Sequence, residues 1–458
     1  MERFALAEDL RKLVDDVFPK MVGYRRDFHR YAESGWTEFR TASLVARRLA
    51  DMGYEVLVGQ DVICAQERMG LPRADTLEAH WQRAIHQGGD PEYLQAVRGG
   101  FPGVVGVLRF GDGPTVAMRF DMDALDIVES DDVDHLPAAE GFASENAGVM
   151  HACGHDAHTA VGLGVAEILT QMRGRLRGTV KFVFQPAEEG VRGAKSMVQA
   201  GIFDDVDHFF GHHMMSDWRL GEIACGLGGY AATRKFDVRF TGAAYHAGAS
   251  PERGRNALVA AATAVLNLYA IPRHSGGATR VNVGHLEAGT GRNVIPASAL
   301  MAVETRGAST ELNDYMYERA ITVIQAAAVI AECQVEITPM GAAETAESDA
   351  LLAERVQRVA DRLGGFACTR SSRGCGSEDI TYMIRRVQER GGLATVIGVG
   401  AGRCNKVGDD EVLWAHTSRF DIDERSLNQA TLLLSALARD VLAQGERRSS
   451  SAKATALR

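Results

Sequence analysis

The sequence predicts an α/β protein of two parts. A large domain is built on a mixed, mostly parallel sheet with helices on both faces, and a smaller α+β domain of four strands and two helices is inserted into it. Three observations support this prediction. Strand-like apolar runs alternate with amphipathic helical runs early in the chain, strands with one polar face fill residues 229–342, and a buried-strand pattern returns afterwards.

The large domain is expected to comprise residues 1–228 and 343–445. A helical run, "RTASLVARRLADMGY", is followed by a polar, glycine-rich stretch at about 58–103. The runs "GVVGVLRF", "PTVAMRFDMDAL" and "GTVKFVFQPAEEG" predict buried strands, and the last two become acidic where the strand should end. Ligands gather beyond the carboxyl ends of parallel strands, so these acids are functional candidates: Asp121, Asp123, Glu188 and Glu189.

The inserted domain, 229–342, is predicted from four alternating strands and two helices. The strands are "RKFDVRFTG", "TRVNVGHLEAG", "ALMAVETRGAS" and "CQVEITPMG", and the helices are "NALVAAATAVLNLYAI" and "LNDYMYERAITVIQAAAVIAE". The strand "ATVIGVG" then returns the chain to the large domain. A polar tail at 446–458 is expected to be frayed rather than functional.

Composition narrows the classes of function. A length of 458 residues favours two domains, and the formal net charge of −10 argues against a nucleic-acid-binding surface. No apolar run is long enough to span a bilayer, and the N-terminus lacks the pattern of a signal peptide. The seven cysteines are widely spaced, which favours reduced thiols and a cytoplasmic protein.

The stretch "MHACGHDAHT" contains residue types that bind metals. Cys153 and His155 are two positions apart, so in an extended or loop segment both side chains would lie on one side. Thiolate and imidazole are accepted ligands of borderline-soft divalent ions. Asp156 could orient a ligand imidazole. These residues alone leave both a metal site and an ordinary packed loop open.

Further candidates are spread along the chain. Two adjacent carboxylates, Glu188 and Glu189, could divide roles, one binding a metal and the other accepting a proton, although adjacent acids also occur in solvated loops. His212 and His213 are strand neighbours, so at most one should reach a shared site. His416 is isolated, and a plain surface role is the alternative for it.

Five motifs together resemble one enzyme family. In chain order they are "MHACGHD", "FQPAEEG", "GAAYHAGASPERGRNALVAAA", "GTGRNVIPASA" and "GSED". They are similar to the aminoacylase and carboxypeptidase G-like family of metal-dependent amidohydrolases, in the branch where a thiol replaces a carboxylate as metal ligand. Hippurate hydrolases and plant auxin-conjugate hydrolases belong to it. The segments "RRDFHRYAESGWTEFRTASLVA", "RMGLP" and "RFDMDALD" resemble its p-aminobenzoyl-glutamate hydrolase subgroup, and the likeness spans about residues 20–440.

The resemblance implies a site with two divalent metal ions per subunit, manganese or zinc, with cobalt also suited. In this sequence the implied ligands are Cys153, His155, Glu189, His213 and His416, with the Cys153 sulfur bridging the ions. The large domain is thereby implied to be the catalytic domain, and the inserted one a lid and dimerisation domain.

The resemblance also implies catalytic and substrate-binding roles. Glu188 matches the general base, and His246 matches a histidine that reaches from the small domain of a partner subunit to polarise the scissile carbonyl. Arg292 and Asn293 match groups that hold the substrate carboxylate or assist the oxyanion, and Arg306 is a weaker candidate of the same kind.

The implied activity is hydrolysis of the amide of an N-acyl or N-aroyl amino acid by metal-activated water. Substrates of the p-aminobenzoyl-glutamate or aryl-acetyl-aspartate type are expected, in a homodimer or higher oligomer. Three departures from the family pattern leave the substrate open: the segment 401–414 before His416, Tyr245 beside His246, and Met214 and Met215 after His213. One alternative is deamination of an aromatic amine such as a substituted 2-aminobenzoate. Another is a hydrolase component that is inactive without a paralogous partner chain.

Overall fold

The computed structural model describes residues 2–369, 376–402 and 413–443. The polar tail 446–458 and residues 403–412 of the segment before His416 lie outside this range. The described strands are β1 Glu55–Val58, β2 Val104–Arg109, β3 Thr115–Asp121, β4 Thr179–Gln185, β5 His208–Met215, β6 Glu222–Ala224, β7 Ala232–Thr241, β8 Thr279–Ala288, β9 Ser298–Gly307, β10 Gln334–Ala343, β11 Ala367–Thr369 and β12 Leu393–Gly400.

Twelve α-helices lie in the described part of the chain. They are α1 Glu2–Arg30, α2 Phe39–Asp51, α3 Ala74–His86, α4 Pro91–Val97, α5 Leu136–Ala139, α6 His155–Gln171, α7 Ala194–Gln199, α8 Ala257–Tyr269, α9 Thr310–Ile330, α10 Ala350–Leu363, α11 Ile380–Glu389 and α12 Arg425–Leu442. The stretch 58–103, for which the sequence indicated only a polar, glycine-rich segment, contains α3 and α4.

The large unit is a mixed sheet of eight strands in the order β1-β2-β4-β3-β5-β12-β6-β11. Four of its seven pairings are parallel (β4 with β3, β3 with β5, β5 with β12, β6 with β11), and three are antiparallel. Neighbouring residues of β3 show that both faces are covered, since Phe120 packs on α6 whereas Arg119 points to the segment that opens α11. The predicted mostly parallel sheet between two helical layers is confirmed.

The central strands β3, β4 and β5 are mainly apolar because both of their faces are largely buried. Phe120, Phe182 and Phe184 stack on one another against α6. Gly162 of α6 allows this approach, because a β-carbon there would lie 2.8 Å from the rings of Phe120 and Phe184. This packing fixes the distance between α6 and β3, whose ends carry the acids and the thiol predicted to be functional.

The small unit is an antiparallel sheet in the order β10-β7-β9-β8, with α8 and α9 packed on one face. Phe236 and Val238 of β7 are buried in the apolar core beneath these helices. The alternate residues of β7, such as Lys235 and Arg239, point to the opposite side, which we call the open face. The chain enters this unit after β6 and returns to the large sheet with β11, so the predicted insertion of four strands and two helices is confirmed.

The described residues contain neither a candidate membrane-spanning helix nor a disulfide bond. None of their helices combines the length and the apolar character needed to cross a bilayer. The cysteines within the described ranges form no disulfide bonds with one another: Cys64, Cys153, Cys225, Cys333 and Cys368.

Candidate active site

The candidate residues of the large unit meet beyond the carboxyl ends of β3, β4 and β5. Asp121 ends β3, Glu188 and Glu189 follow β4, and His213 lies in the last part of β5. The carboxyl ends of these parallel strands share one edge of the sheet, which is where α/β proteins place their ligands. The loop before α6 and the loop before α12 add Cys153 and His416 to the same edge.

The structure brings all five predicted metal ligands together. Three overlapping groups each have donor atoms within 4.8 Å of one another: Cys153, His155 and His213; Cys153, Glu189 and His416; His155, Glu188 and Glu189. The Cys153 sulfur lies 3.5 Å from His213 Nε2, and His416 Nε2 lies 3.3 Å from Glu189 Oε1. Cys153 belongs to two of these groups, so its sulfur lies near the donor atoms of both.

Local backbone geometry brings Cys153 and His155 into the cluster. The two side chains lie on one side, as expected for an extended or loop segment, although His155 is already the first residue of α6. Gly154 between them has φ +91°. Such a left-handed conformation suits glycine. His416 also has a positive φ, 65°, and its N–H donates to the Ala152 carbonyl at 2.7 Å. That bond ties the loop before α12 to the loop that carries Cys153.

Asp123 organises the ligands from behind. His155 Nδ1 donates to the Asp123 carbonyl at 2.9 Å, and the carboxylate of Asp123 accepts from the backbone N–H groups of Glu188 (3.0 Å) and Glu189 (2.8 Å). The sequence indicated Asp156 for orienting a ligand imidazole, and this is wrong. The Asp156 carboxylate instead accepts from Arg25 and His29 on α1.

The donor set fits metal ions. The Nδ1 atoms of His155 and His213 are bound to backbone carbonyls, of Asp123 and Met214, which leaves each Nε2 as an acceptor in the neutral ring. Among the described residues, His155 Nε2 and Glu189 Oε1 are buried without a hydrogen-bond partner. Buried polar atoms without partners are costly, and a cation coordinated by both would satisfy them.

The electrostatics of the cluster favour cation binding. Burial opposes the charged form of Cys153, as does Glu189, but the neighbouring imidazoles of His213 and His155 lower the pKa of the thiol to about 6. Burial opposes the charge of His213 too, yet the neighbouring thiolate raises its pKa to about 9. The anions therefore hold protons on the imidazoles, and divalent cations binding at the same atoms would displace them.

Glu188 lies in a group of carboxylates. It is buried, and burial together with Glu378, Glu189 and Asp379 raises its pKa well above the ordinary value, against the influence of His155. A carboxylate with a raised pKa is suited to accept a proton and to return it at neutral pH. The structure therefore places a potential general base directly beside a potential ligand, Glu189.

Arg119 and Glu378 are site residues that sequence reasoning missed. Arg119 is fully buried, and its guanidinium donates to Gln185 (2.7 Å), Asp121 (2.5 Å) and Glu378 (2.9 Å). An arginine in the apolar strand "TVAMRFD" was the available signal, since a buried arginine requires several carboxylates around it. The motif "GSED" contains Glu378, but its role becomes visible only where the chain meets Arg119.

His212 does not join the cluster. It is buried against Phe120 and His158, on the opposite side of β5 from His213. His158 is oriented by two bonds, since its Nδ1 faces the Asp121 carboxylate and its Nε2 accepts from the Met214 N–H at 2.9 Å.

The remaining predicted residues lie on the small unit. His246 is exposed, and its Nδ1 accepts from the N–H groups of Gly248 and Ala249 at 3.1 Å, so the proton of the neutral ring lies on Nε2. Arg292 and Asn293 are exposed beside it, since Ala247 N–H donates to the Asn293 carbonyl at 2.9 Å. Arg306 lies apart from these three, paired with Glu304 at 2.9 Å.

The fold and the cluster together define a class of protein. An open α/β sheet carries thiolate, imidazole and carboxylate donors at its ligand-binding edge, with a buried carboxylate beside them. This is the arrangement of a metal-dependent hydrolase. The model of peptidase family M20/M25/M40 matches residues 117–440, and the chain belongs to that family.

Two curated relatives are nearly full-length matches. The chain is 48% identical over 423 residues to one of the subunits of the p-aminobenzoyl-glutamate hydrolase of Escherichia coli, covering 92% of this chain and 95% of the relative. It is 48% identical over 433 residues to the indole-3-acetyl-aspartic acid hydrolase of Enterobacter agglomerans, covering 93% and 98%. The chain is a hydrolase that acts on amide carbon–nitrogen bonds.

Solved structures agree with this assignment. The crystal structure of an aminobenzoyl-glutamate utilization protein from Klebsiella pneumoniae is 43% identical with a TM-score of 0.81, covering 94% of this chain and 98% of that one. A dinuclear metal-binding peptidase of the M20 family from Bacillus subtilis is 26% identical with a TM-score of 0.62, covering 93% and 99%. The family is thus one of dinuclear metal enzymes, and this chain has a donor cluster to match.

Proposed function

We propose that this chain hydrolyses the amide bond between an aromatic acyl group and an acidic amino acid. The observation that carries the proposal is a buried carboxylate, Glu188, next to Glu189 within a cluster of metal-type donors. The two 48% identical relatives support the substrate class, because they are named for p-aminobenzoyl-glutamate and indole-3-acetyl-aspartate.

The proposed cofactor is a pair of divalent ions, with zinc and manganese as the first candidates and cobalt also suited. The proposed ligands are Cys153, His155, Glu189, His213 and His416. Thiolate and imidazole suit zinc, whereas carboxylate oxygens also suit manganese. When bound, the ions supply Lewis-acid activation of a water molecule and of the scissile carbonyl.

Glu188 is the proposed proton carrier. Its carboxylate takes the proton of the attacking water and then gives it to the leaving amide nitrogen. The neighbouring carboxylates Glu378 and Asp379 favour the protonated form that this transfer requires. Asp123 holds the backbone of Glu188, so the base and the ligand Glu189 keep a fixed relation to each other.

His246, Arg292 and Asn293 are proposed to act from a second copy of the chain. His246 presents a donor at Nε2, which can bond to the carbonyl oxygen as negative charge develops there. The adjacent Arg292 and Asn293 are proposed to bind the α-carboxylate of the substrate. Because all three are exposed on the small unit, we propose a homodimer or higher oligomer. A paralogous partner chain is the alternative, since the Escherichia coli relative is named as one of the subunits of its enzyme.

The first test is product identification by mass spectrometry. Protein loaded with zinc or manganese is incubated with N-aroyl and N-acyl glutamates, aspartates and glycines, and with substituted 2-aminobenzoates. We expect the free amino acid and the free carboxylic acid from the acidic conjugates, loss of turnover with a chelator, and recovery on adding back the metal.

Two results would contradict the proposal. Exchange of NH for oxygen on an aminobenzoate would show deamination instead. No turnover of any conjugate by the metal-loaded chain, with activity only after addition of a paralogous chain, would show that the homo-oligomer is not the active enzyme.

A further inference from the structure

Lys235 occupies the centre of the small sheet, on its open face. It lies on β7, paired with Glu304 of β9 on one side and with Gly341 of β10 on the other. Its neighbour Phe236 is buried beneath the helices that cover the other face. The Lys235 side chain therefore points away from the core of its own unit.

The contacts of Gly341 show which part of the large unit lies against the open face near Lys235. A β-carbon on Gly341 would lie 2.1 Å from the carbonyl oxygen of Gly190, and Ala342 N–H donates to the Val191 carbonyl at 2.9 Å. Side chains of directly paired strand residues project to the same side of a sheet. Lys235 thus projects toward the side on which Gly190 lies, and Gly190 follows the proposed ligand Glu189.

Arg306 provides a second, independent link. It lies two positions from Glu304 on β9, hence on the open face with Lys235, and it donates to Ser377 Oγ at 3.5 Å. Ser377 precedes Glu378, whose carboxylate lies in one group with that of Glu188, with donor atoms within 4.8 Å. This end of the open face therefore borders the space around Glu188 and the proposed metal ligands, which we call the cleft.

The Lys235 ammonium is half-buried and has no ion pair or hydrogen bond among the described residues. Its cross-strand neighbour Glu304 instead accepts from Nε and Nη2 of Arg306, at 2.9 and 3.2 Å. Burial lowers the pKa of Lys235, Arg306 lowers it further, and the carboxylates of Glu304, Glu188 and Glu189 oppose this. A shielded cation without a partner costs free energy, and an anionic ligand group in the cleft would offset that cost.

We propose that Lys235 binds the side-chain carboxylate of the acidic amino acid in the substrate, and so selects glutamate and aspartate conjugates over neutral ones. This inference rests on the proposed function, in which the amino acid half of an N-aroyl conjugate lies in the cleft. The other carboxylate of that half is the one proposed for Arg292 and Asn293. Lys235 is then a specificity-determining residue, and the chemistry remains with Glu188 and the metal ligands.

The test compares three conjugates of p-aminobenzoate: with glutamate, with glutamine, and with the α-amide of glutamate. For Lys235→Met we expect kcat/KM to fall about 100-fold on the glutamate conjugate and the α-amide, and to change little on the glutamine conjugate. Lys235→Arg should recover part of the loss. Arg239→Met is the matched control, because Arg239 is an exposed cation on the same strand and the same face. It should leave kcat/KM on all three conjugates unchanged.

Three results would overturn the inference. Equal losses on glutamate and glutamine conjugates would show a general structural or catalytic role. A loss that spares the α-amide would assign the α-carboxylate to Lys235. No loss at all would remove Lys235 from the site. Thermal unfolding of Lys235→Met checks the fold. Replacing a half-buried ammonium that has no ion pair with methionine should leave Tm unchanged or raise it.

A binding measurement separates this inference from the proposed function. Calorimetry with the Glu188→Gln protein, with and without Lys235→Met, gives the Kd of the glutamate and glutamine conjugates. Lys235-dependent preference for glutamate without turnover by the unmodified enzyme would refute the proposed function and keep the binding site. Turnover by the unmodified enzyme, with no effect of Lys235 on the preference in binding or in kcat/KM, would refute the binding site and keep the function.

Discussion

Two clusters of buried charge in the large unit differ in how their atoms are satisfied. At α1, the guanidinium of Arg25 is bound by Asp156, Asp421 and Glu424, and His29 contacts carboxylates with both ring nitrogens at 2.9 Å. In the cleft, His155 Nε2 lies 3.6 and 3.9 Å from two carboxylates and makes no hydrogen bond in the described chain. The protein itself satisfies these atoms of the first cluster, whereas it leaves His155 Nε2 in the second cluster available to a ligand.

Two neighbouring residues belong to different clusters. His155 and Asp156 are adjacent at the start of α6, and His155 points into the cleft while Asp156 points to Arg25 and His29. Adjacent buried residues can thus belong to different clusters, one in the cleft and one at α1. Burial of a charged group therefore does not by itself mark a functional site. These two residues differ in that His155 has a buried nitrogen, Nε2, whose hydrogen-bonding capacity the protein leaves open.

Breaking the unsatisfied cluster should have the largest effect. Glu188→Gln should reduce turnover by up to about 10⁴-fold, because the proton acceptor is removed. Bound metal should stay nearly constant and stability should not fall, since Glu188 is repelled by its carboxylate neighbours. Steady-state kinetics and elemental analysis measure both. Glu189→Gln is the control and should lose metal; loss of metal in Glu188→Gln instead would mean that the two glutamates have the opposite roles.

Breaking the satisfied cluster should affect stability rather than chemistry. Arg25→Met leaves Asp156 and Asp421 buried without their cation, and we expect the free energy of unfolding to fall by about 3–5 kcal/mol. Denaturant unfolding measures this. Arg47→Met is the control, because Arg47 also pairs with three carboxylates (Asp51, Asp90 and Glu92) but near the surface, and should change stability little. Similar losses in both variants would contradict the distinction.

The smallest expected effect is a difference in pH dependence. Burial opposes the charge of His29, but its bonds to Asp156 and Glu129 raise its pKa to about 9 from an ordinary value of 6.5. A raised pKa in the folded state gives stability that is present below pH 6.5 and is lost as the pH rises through 9. The loss is expected to reach about 3 kcal/mol.

Unfolding experiments between pH 6 and 10 measure that loss, and His29→Gln should flatten the profile. Metal affinity of the cleft should change in the opposite direction over the lower part of this range, because the Cys153 thiol and the ligand imidazoles release protons when metal binds. A parallel rise of both quantities with pH would show that His29 is not protonated in the fold.

Much of the fold could be predicted from the sequence because it depends on local periodicity. The four alternating strands and two helices of the small unit follow from residues that repeat every two or every three to four positions. The stretch 58–103 was less predictable, because α4 is short and α3 is partly polar, and both pack on α2. The chain order of Cys153, the adjacent glutamates and His213 also indicated which side chains could bind metal.

The residues that surround and orient the proposed metal ligands could not be predicted. Asp156 follows His155 directly, yet Asp123, 32 positions earlier, orients that imidazole. Gly154 turns the chain into α6 at this point, so the side chains of adjacent residues diverge. Arg119 and Glu378 lie 259 positions apart and meet only because β3 and the segment before α11 pack together.

The sequence by itself determined the kinds of donor, the two sheets and the insertion of one unit into the other. These follow from side-chain chemistry and from periodicity, which are properties of short stretches. Only the tertiary structure decided which acids remain unsatisfied, which imidazole nitrogen is free, and that Lys235 points toward the cleft. The reason is that hydrogen bonds and burial are shared between segments far apart in the chain, so each atom's free capacity is known only once all its neighbours are in place.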